Sequence, residues 1–227
     1  MYHLEWGEDY LGIFDLIEND NIRETSIKTE GIVLGIVTNN KDPEKLGRVK
    51  VKFPWLSDND ESRWARVITL MASKDYGTFF LPEVGDEVAI SFDRGKIDYP
   101  YILGSLWNGE NKPPVDNSDG KNHVRKIKTR GGHEIIFDDG DDGKIEINSK
   151  SGHKISLSDA KAKEKIEIKD KTGKNTILLD STKNQIDISS EMKLKLKSKM
   201  IEIEAEGKLS IESKGDLSIK GTLVKIN

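Results

Sequence analysis

From residue 135 onward the chain repeats one small pattern: an aliphatic or aromatic residue, a polar or apolar spacer, a second apolar residue, then a polar stretch. The pairs are Ile135 with Phe137, Ile145 with Ile147, Ile155 with Leu157, Ile166 with Ile168, Ile177 with Leu179 and Ile186 with Ile188. They continue as Leu194 with Leu196, Ile201 with Ile203, Leu209 with Ile211 and Leu217 with Ile219, ending near Val224 and Ile226. First members are spaced by 10, 10, 11, 11, 9, 8, 7, 8, 8 and 7 residues. Such fixed-period self-similarity marks a repeat architecture. Each pair predicts a three-residue rung of β-strand, with two side chains on one face and the spacer on the other. Gly207, Gly215 and Gly221 sit where corners fall, and no proline follows Pro114, as a fully laddered backbone requires.

A lone ribbon with one apolar stripe has nothing to bury it against. Three copies with their stripes on a common axis bury every pair and leave few free edges. The pattern therefore predicts a homotrimeric needle. The stripe alone does not force three chains over two. A single-chain solenoid is the rival, but its coil needs three inward faces, and this repeat is short for that.

Residues 31–107 read differently. Five β-like runs, Gly31–Thr38, Gly47–Phe53, Arg63–Leu70, Glu87–Phe92 and Tyr99–Leu106, are separated by turn-rich segments, among them Asn39–Pro43 and Ser57–Asp60. Period-two alternation is clear in Val49, Val51, Phe53 and in Val88, Ile90, Phe92. Five short strands in such a length predict an OB-like barrel. An OB fold brings oligonucleotide or glycan binding into view, with Phe53, Trp55 and Trp64 as stacking candidates. The same residues serve equally as barrel or interface packing, which is the expectation here, because a single-strand groove needs clustered Lys and Arg.

Composition sharpens the division. All four tryptophans, all five tyrosines, all six prolines and five of six phenylalanines precede residue 120. Residues 1–30 carry a net charge of −6, residues 31–120 of −3 and residues 121–227 of +5, giving −4 overall. This bulk balance gives no reason to expect a nucleic acid or an anionic membrane as partner. There is no cysteine, which excludes disulfides, thiolate metal sites and cysteine nucleophiles. No apolar run is long enough to span a bilayer, and no basic-then-apolar leader opens the chain, so Sec export is not expected.

The organisation expected is all-β: an N-terminal arm (1–30), an OB-fold domain (31–107), a linker (108–128) and a β-helix spike (129–227). The arm holds a segment, Tyr10 to Glu18, that reads as a short helix with an apolar face, suited either to docking on a partner through Ile13, Phe14, Leu16 and Ile17 or to packing as a lid on the next domain.

Several stretches then resemble a known family. They are Gly31–Asn40, Asp42–Leu56, Trp64–Val67, Phe80–Val88 and Tyr101–Trp107, followed by Thr129-Arg130-Gly131-Gly132-His133-Glu134-Ile135 and the Ile-x-Ile ladder. Together they resemble the OB module and spike of VgrG and phage-baseplate central-spike proteins. The resemblance implies an OB barrel followed by an intertwined triple-stranded β-helix. It implies a structural, cell-puncturing spike at the tip of a contractile tail tube, assembled in the baseplate of a phage tail, tailocin or type VI-like system. Sheath contraction would then bring it into transient contact with the target envelope.

The same resemblance implies partners. With only about thirty residues before the barrel, the hub is expected to be a separate polypeptide. A PAAR-type cap protein is expected over Leu223, Val224 and Ile226. His133 is expected to support the first needle turn. Some relatives carry a lysozyme domain between barrel and needle, and the linker here is too short for one. Others end in a His-x-His iron apex, whereas the histidines here are His3, His123, His133 and His153, none of them in the last seventy residues, so a histidine metal tip is not expected.

No other chemistry is expected. The turn Asp138-Asp139-Gly140-Asp141-Asp142-Gly143 lacks the ligand spacing and closing Glu of a calcium loop. Carboxylates such as Asp58, Asp60 and Glu61 sit in a polar segment with nothing to desolvate them. No nucleophile elbow, phosphate loop or His-Glu-x-x-His occurs. The expectation is a protein without catalytic residues, metal or cofactor. Its core pairs are Ile145 and Ile147, Ile155 and Leu157, Ile166 and Ile168, Ile177 and Leu179, Ile186 and Ile188, and on through Leu194, Leu196, Ile201, Ile203, Leu209, Ile211, Leu217 and Ile219.

Overall fold

The computed structural model describes residues 29–226 and divides into two units that part between Asp116 and Asn117. The proposed docking residues Ile13, Phe14, Leu16 and Ile17 lie outside the described residues.

In the first unit, β1 (Val33–Asn39), β2 (Lys50–Phe53), β3 (Ser57–Glu61) and β4 (Arg66–Val67) precede a small hairpin of β5 (Ala72–Ser73) and β6 (Tyr76–Gly77). Then follow β7 (Glu87–Phe92) and β8 (Pro100–Ser105). The main sheet has the order β3-β2-β1-β7-β8-β4, antiparallel except for the β4–β8 pair. Val49 and Ala65 exchange backbone hydrogen bonds at 3.0 and 2.7 Å. That bridge returns the β4 end of the sheet to the β2 end, so the sheet curls into an OB-like barrel.

The alternating residues close the barrel core. Val49, Val51, Val88, Ile90 and Ile102 are completely buried, joined by Val37, Ala65, Phe53 and Phe92. Phe53 and Phe92 pack with ring centroids 5.8 Å apart at 52°, a favourable tilted arrangement. Gly35 is required by close approach, since a Cβ there would lie 2.5 Å from Ile90 Cδ1 and 3.2 Å from the Lys52 carbonyl oxygen. The loop before β2 is pinned by Asp42. Its carboxylate accepts from Arg48 Nε at 2.9 Å and Nη2 at 2.8 Å, and from the backbone N–H of Glu44 and Leu46. The Arg48 guanidinium holds the Asp42 carboxyl well below the usual carboxylate range.

Two sequence expectations change here. Ser57–Asp60 reads as a turn, yet it opens β3, because the tight bend lies earlier, where Leu56 N–H donates to the Phe53 carbonyl. The run Arg63–Leu70 is an extended segment with only Arg66–Val67 in the sheet.

The second unit is a seven-stranded antiparallel meander: β9 (Val124–Lys128), β10 (Glu134–Asp138), β11 (Lys144–Asn148), β12 (Lys154–Ser158), β13 (Lys165–Lys169), β14 (Thr176–Asp180) and β15 (Gln185–Ser189). Each rung is five residues long rather than three, because the polar residues flanking each pair join the ladder. The sheet also starts earlier than the sequence suggests. β9 lies within the stretch that reads as linker, because it offers a single aliphatic, Ile127, to the stripe and a charge, Arg125, at the other position. Residues 190–226 carry no assigned strand and bend at Glu191–Met192, Lys199, Glu206–Gly207, Lys214–Gly215 and Thr222.

Candidate functional site

The meander's register stacks the apolar pairs into two straight columns. One runs Ile127, Ile135, Ile147, Ile155, Ile168, Ile177, Ile188; the other runs Phe137, Ile145, Leu157, Ile166, Leu179, Ile186. Both columns lie on one face, because alternate residues share a side of a strand. The spacers stack on the opposite face.

Burial is inverted with respect to polarity. Ile145 and Ile147 are 40% and 47% exposed, whereas Glu146 between them is 7% exposed. The carboxylate is covered by its neighbours: Lys154 Nζ pairs with it and Lys144 Nζ stands 3.6 Å away. The motif recurs along that face. Glu134 takes Lys126 and Lys128 at 3.4 and 3.2 Å, and Glu167 takes Lys169 at 3.2 Å and Lys165 at 4.0 Å. The Lys128 ammonium lowers the Glu134 pKa. Polar groups thus satisfy one another on one face while the aliphatic face has no cover within the unit.

The size of that face decides its meaning. Fully burying such a side chain is worth ~1.5–3 kcal/mol, so covering the remaining two-fifths contributes about 0.6–1.2 kcal/mol each. Over a dozen residues this is on the order of 10 kcal/mol, comparable to the entire stability of a domain. Scattered exposed aliphatics need no explanation, but two continuous columns do.

The other expected core residues fall on the tail beyond β15. Leu194, Leu196, Ile201, Ile203, Leu209, Ile211, Leu217 and Ile219 are 53–68% exposed. Leu223, Val224 and Ile226 are exposed as well. The break between meander and tail coincides with the fall in pair spacing from 9–11 to 7–8 residues. With five-residue rungs the longer period leaves four to six residues for each turn of the meander, whereas a period of seven or eight would leave only two or three.

The turns at one margin of the sheet are built alike. Thr129, Ser149 and Asp170 each open a turn, and Gly132, Gly152 and Gly173 occupy positive φ at 89°, 97° and 72°. The last residue of one turn then accepts a hydrogen bond from the next turn along: Lys150 N–H to His133 Nδ1 at 3.4 Å, Lys171 N–H to His153 Nδ1 at 3.3 Å and Glu191 N–H to Asn175 Oδ1 at 3.3 Å. His133 therefore ties its turn to the adjoining turn of the meander; the equivalent roles of His153 and Asn175 have no counterpart in the sequence reading. The signal was there as a repeated [Thr/Ser]-basic-x-Gly-His spacing in Thr129–His133 and Ser149–His153.

Among the described residues no group of three or more His, Asp or Glu is placed to hold a metal ion. Asp138 Oδ1 instead accepts from Gly140 N–H at 3.0 Å, an ordinary turn contact.

Barrel and striped sheet together define a class: an OB module followed by a sheet that presents an uncovered apolar face. Residues 33–107 match the model of the type VI secretion system/phage-baseplate injector OB domain. The chain is 38% identical over 104 residues to the type VI secretion system spike protein VgrG3 of Vibrio cholerae, covering 42% of this chain and 10% of that protein. It is 38% identical over 77 residues to the spike protein VgrG1a of Pseudomonas aeruginosa, covering 32% of this chain and 12% of that one. The chain spans about a tenth of the length of these curated relatives. The resemblance to VgrG and phage-baseplate spikes thus stands on the barrel, and the fold is all-β as the sequence implies.

Proposed function

We propose that this chain is the structural, cell-puncturing spike of a contractile injection system, acting as a homotrimer at the tip of the tail tube. The observation that carries the reading is the pair of aliphatic columns left uncovered on one face of the meander. The occupants we assign to that face are the same columns of two further copies. Burying all three on one axis covers Ile145 to Ile188 and leaves the Lys-Glu face toward solvent. The tail from Leu194 to Ile219, with apolar pairs and no strand assigned within the chain, would then pair its backbone with the other two copies, which satisfies its amides.

A spike of this kind transmits force and needs no catalytic group. Rigidity comes from strand ladders within each chain, an apolar axis between chains and strand pairing between chains at the tail. Its place is the baseplate, with the tube above and the target envelope below. The residues assigned to a PAAR-type cap are Leu223, Val224 and Ile226, and those assigned to a hub are Ile13, Phe14, Leu16 and Ile17. The type VI spike proteins it matches over the barrel support the puncturing role, and a phage-tail or tailocin baseplate is the same role in another machine.

The test is solution mass by light scattering. The expected mass is three times the 25.5 kDa of one chain, with assembly resisting denaturant well beyond the barrel's own unfolding. A monomer at micromolar concentration would overturn the reading.

A further inference from the structure

The tail beyond β15 keeps the apolar pairs of the meander but not its ion pairs. Bends at Lys199, Glu206–Gly207, Lys214–Gly215 and Thr222 fall one between each two successive pairs. In the meander the spacers Glu146 and Glu167 are met by Lys154 and Lys169. Among the described residues the ion pairs within the chain stop at Glu191. Beyond it the charges come in blocks. Lys193, Lys195 and Lys197 alternate with Leu194 and Leu196, and Glu202 and Glu204 alternate with Ile201 and Ile203. All five of these charged residues are exposed.

Blocks of this kind decide how copies of the tail can pair. In the meander, neighbouring strands meet with apolar pair on apolar pair and spacer on spacer, as Ile145 meets Leu157 and Glu146 meets Ser156. The same rule applies to tails side by side, and copies related by rotation about one axis run the same way. If equal rungs pair, every charge meets its own kind, which is destabilising across strands. If each rung pairs with the next rung of its neighbour, Lys195 lies beside Glu202 and Lys197 beside Glu204. Further along, Lys208 then lies beside Asp216 and Glu212 beside Lys220, and only Glu204 and Glu212 meet as like charges. A shift of two rungs keeps two opposite pairs, Lys197 with Glu212 and Glu204 with Lys220, and sets Lys193 against Lys208. The shift of one rung therefore leaves the best balance of charge.

We propose that the tails pair between copies with a stagger of one rung, residues 193–197 of each copy lying against residues 200–204 of the next. The inference rests on the homotrimer reading and adds the register to it. The contact joins two different surfaces, and under rotation such a contact closes into a ring. One chain cannot make it with itself. Parallel strands need a crossover of roughly a dozen residues, and only Ser198 and Lys199 separate the two segments. Each exposed pair is worth little, so the blocks select the register rather than supply the strength, which comes from the apolar axis.

The test is a charge-reversal cycle on the full chain. Lys195→Glu and Glu202→Lys should each shorten the half-life of the assembly in guanidinium about tenfold, since an opposite pair becomes a like one in all three copies. The two together should recover most of the loss, because they restore the pair in reverse. Pairing of equal rungs predicts no recovery, as each reversal there only exchanges one ring of like charges for another. Zero-length carbodiimide crosslinking of the unaltered protein is the second readout. The expected product joins Lys195 to Glu202 and runs at the mass of two or three chains in boiling detergent. A cycle without recovery, no such product between chains, or Lys197 joined to Glu212 in its place would overturn the stagger. With the assembled mass still threefold, those outcomes leave the spike reading standing, whereas a monomer overturns both.

Discussion

Barrel and meander are written in the same period-two code, yet they end in opposite states. Val49, Val51, Val88 and Ile90 of the barrel are fully buried by their own chain. Ile145, Ile155 and Ile168 of the meander keep 38–43% of their surface exposed. The difference lies in what a strand's neighbours do. In the barrel the Val49–Ala65 bridge bends the sheet back, so its apolar face meets itself. In the meander each strand pairs only with the next, and the sheet never curls far enough to cover its stripe. Alternation therefore specifies an apolar face, while connectivity specifies whether the cover comes from the same chain or another.

The strongest way to break this contrast is to charge the stripe. Ile147→Asp with Ile168→Asp places two carboxylates in the column that runs from Ile127 to Ile188, and an unpaired carboxylate buried among three copies costs several kcal/mol. Sedimentation should fall from three chains to one, while the barrel's thermal transition stays in place. Retention of the assembled mass would show that the stripe is not the interface.

Within the barrel the complementary change is Ile90→Ala. Removing a fully buried aliphatic should lower barrel stability by ~2–5 kcal/mol, read as a shift in denaturant midpoint, with the assembled mass unchanged. A loss of assembly in step with the barrel would mean that the two regions are not energetically separate.

Finer resolution comes from the turns. Gly152→Ala puts a side chain at φ 97° and should cost about 1–2 kcal/mol in the meander alone. Hydrogen exchange at Lys171 is the readout, since its amide bonds to the adjoining His153; unchanged protection there would refute a role for that turn.

Smallest is an acid effect. Asn175 and Thr172 hydrogen bonds hold the Asp170 pKa down, to about 2 from its ordinary 3.8. A lowered carboxyl contributes stability that is present above about pH 4 and lost as pH falls toward 2. Protection from exchange at Gly173 and Asn175, measured against the unfolded chain at each pH, should fall over that window, and Asp170→Asn should remove the pH dependence. A native-like slope in the variant would exclude Asp170 as its source.

Much of this was legible in the residues. The aliphatic pairs and the alternation in β2 and β7 carry a period that survives folding. What was hidden depends on partners distant in sequence. Polar Ser57–Glu61 becomes a strand only because Lys52 and Phe53 lie alongside. Val124–Lys128 offers the stripe only one aliphatic, Ile127, and is recruited by β10. Arg48, Lys50, Arg63 and Arg66 line one groove of the barrel but are spread over nineteen positions of sequence, so averaging by domain erases them. The step in pair spacing near residue 190 was visible, but its meaning needs the five-residue rung length that only the structure supplies.

The two margins of the meander are fastened by different means. At one, His133, His153 and Asn175 lend side-chain acceptors to the adjoining turn. At the other, the fastening is mostly backbone to backbone, Asp159 N–H to the Gly143 carbonyl at 2.8 Å and Ser181 N–H to that of Glu164 at 3.1 Å, with one side-chain contact, Thr182 Oγ1 to Glu164 Oε2 at 3.1 Å. One hem is thus sewn with thread that a point mutation can pull out, the other with thread common to every residue except proline. Over generations the first margin is the one free to drift in grip, and a designer wishing to soften this sheet from a single side would begin there.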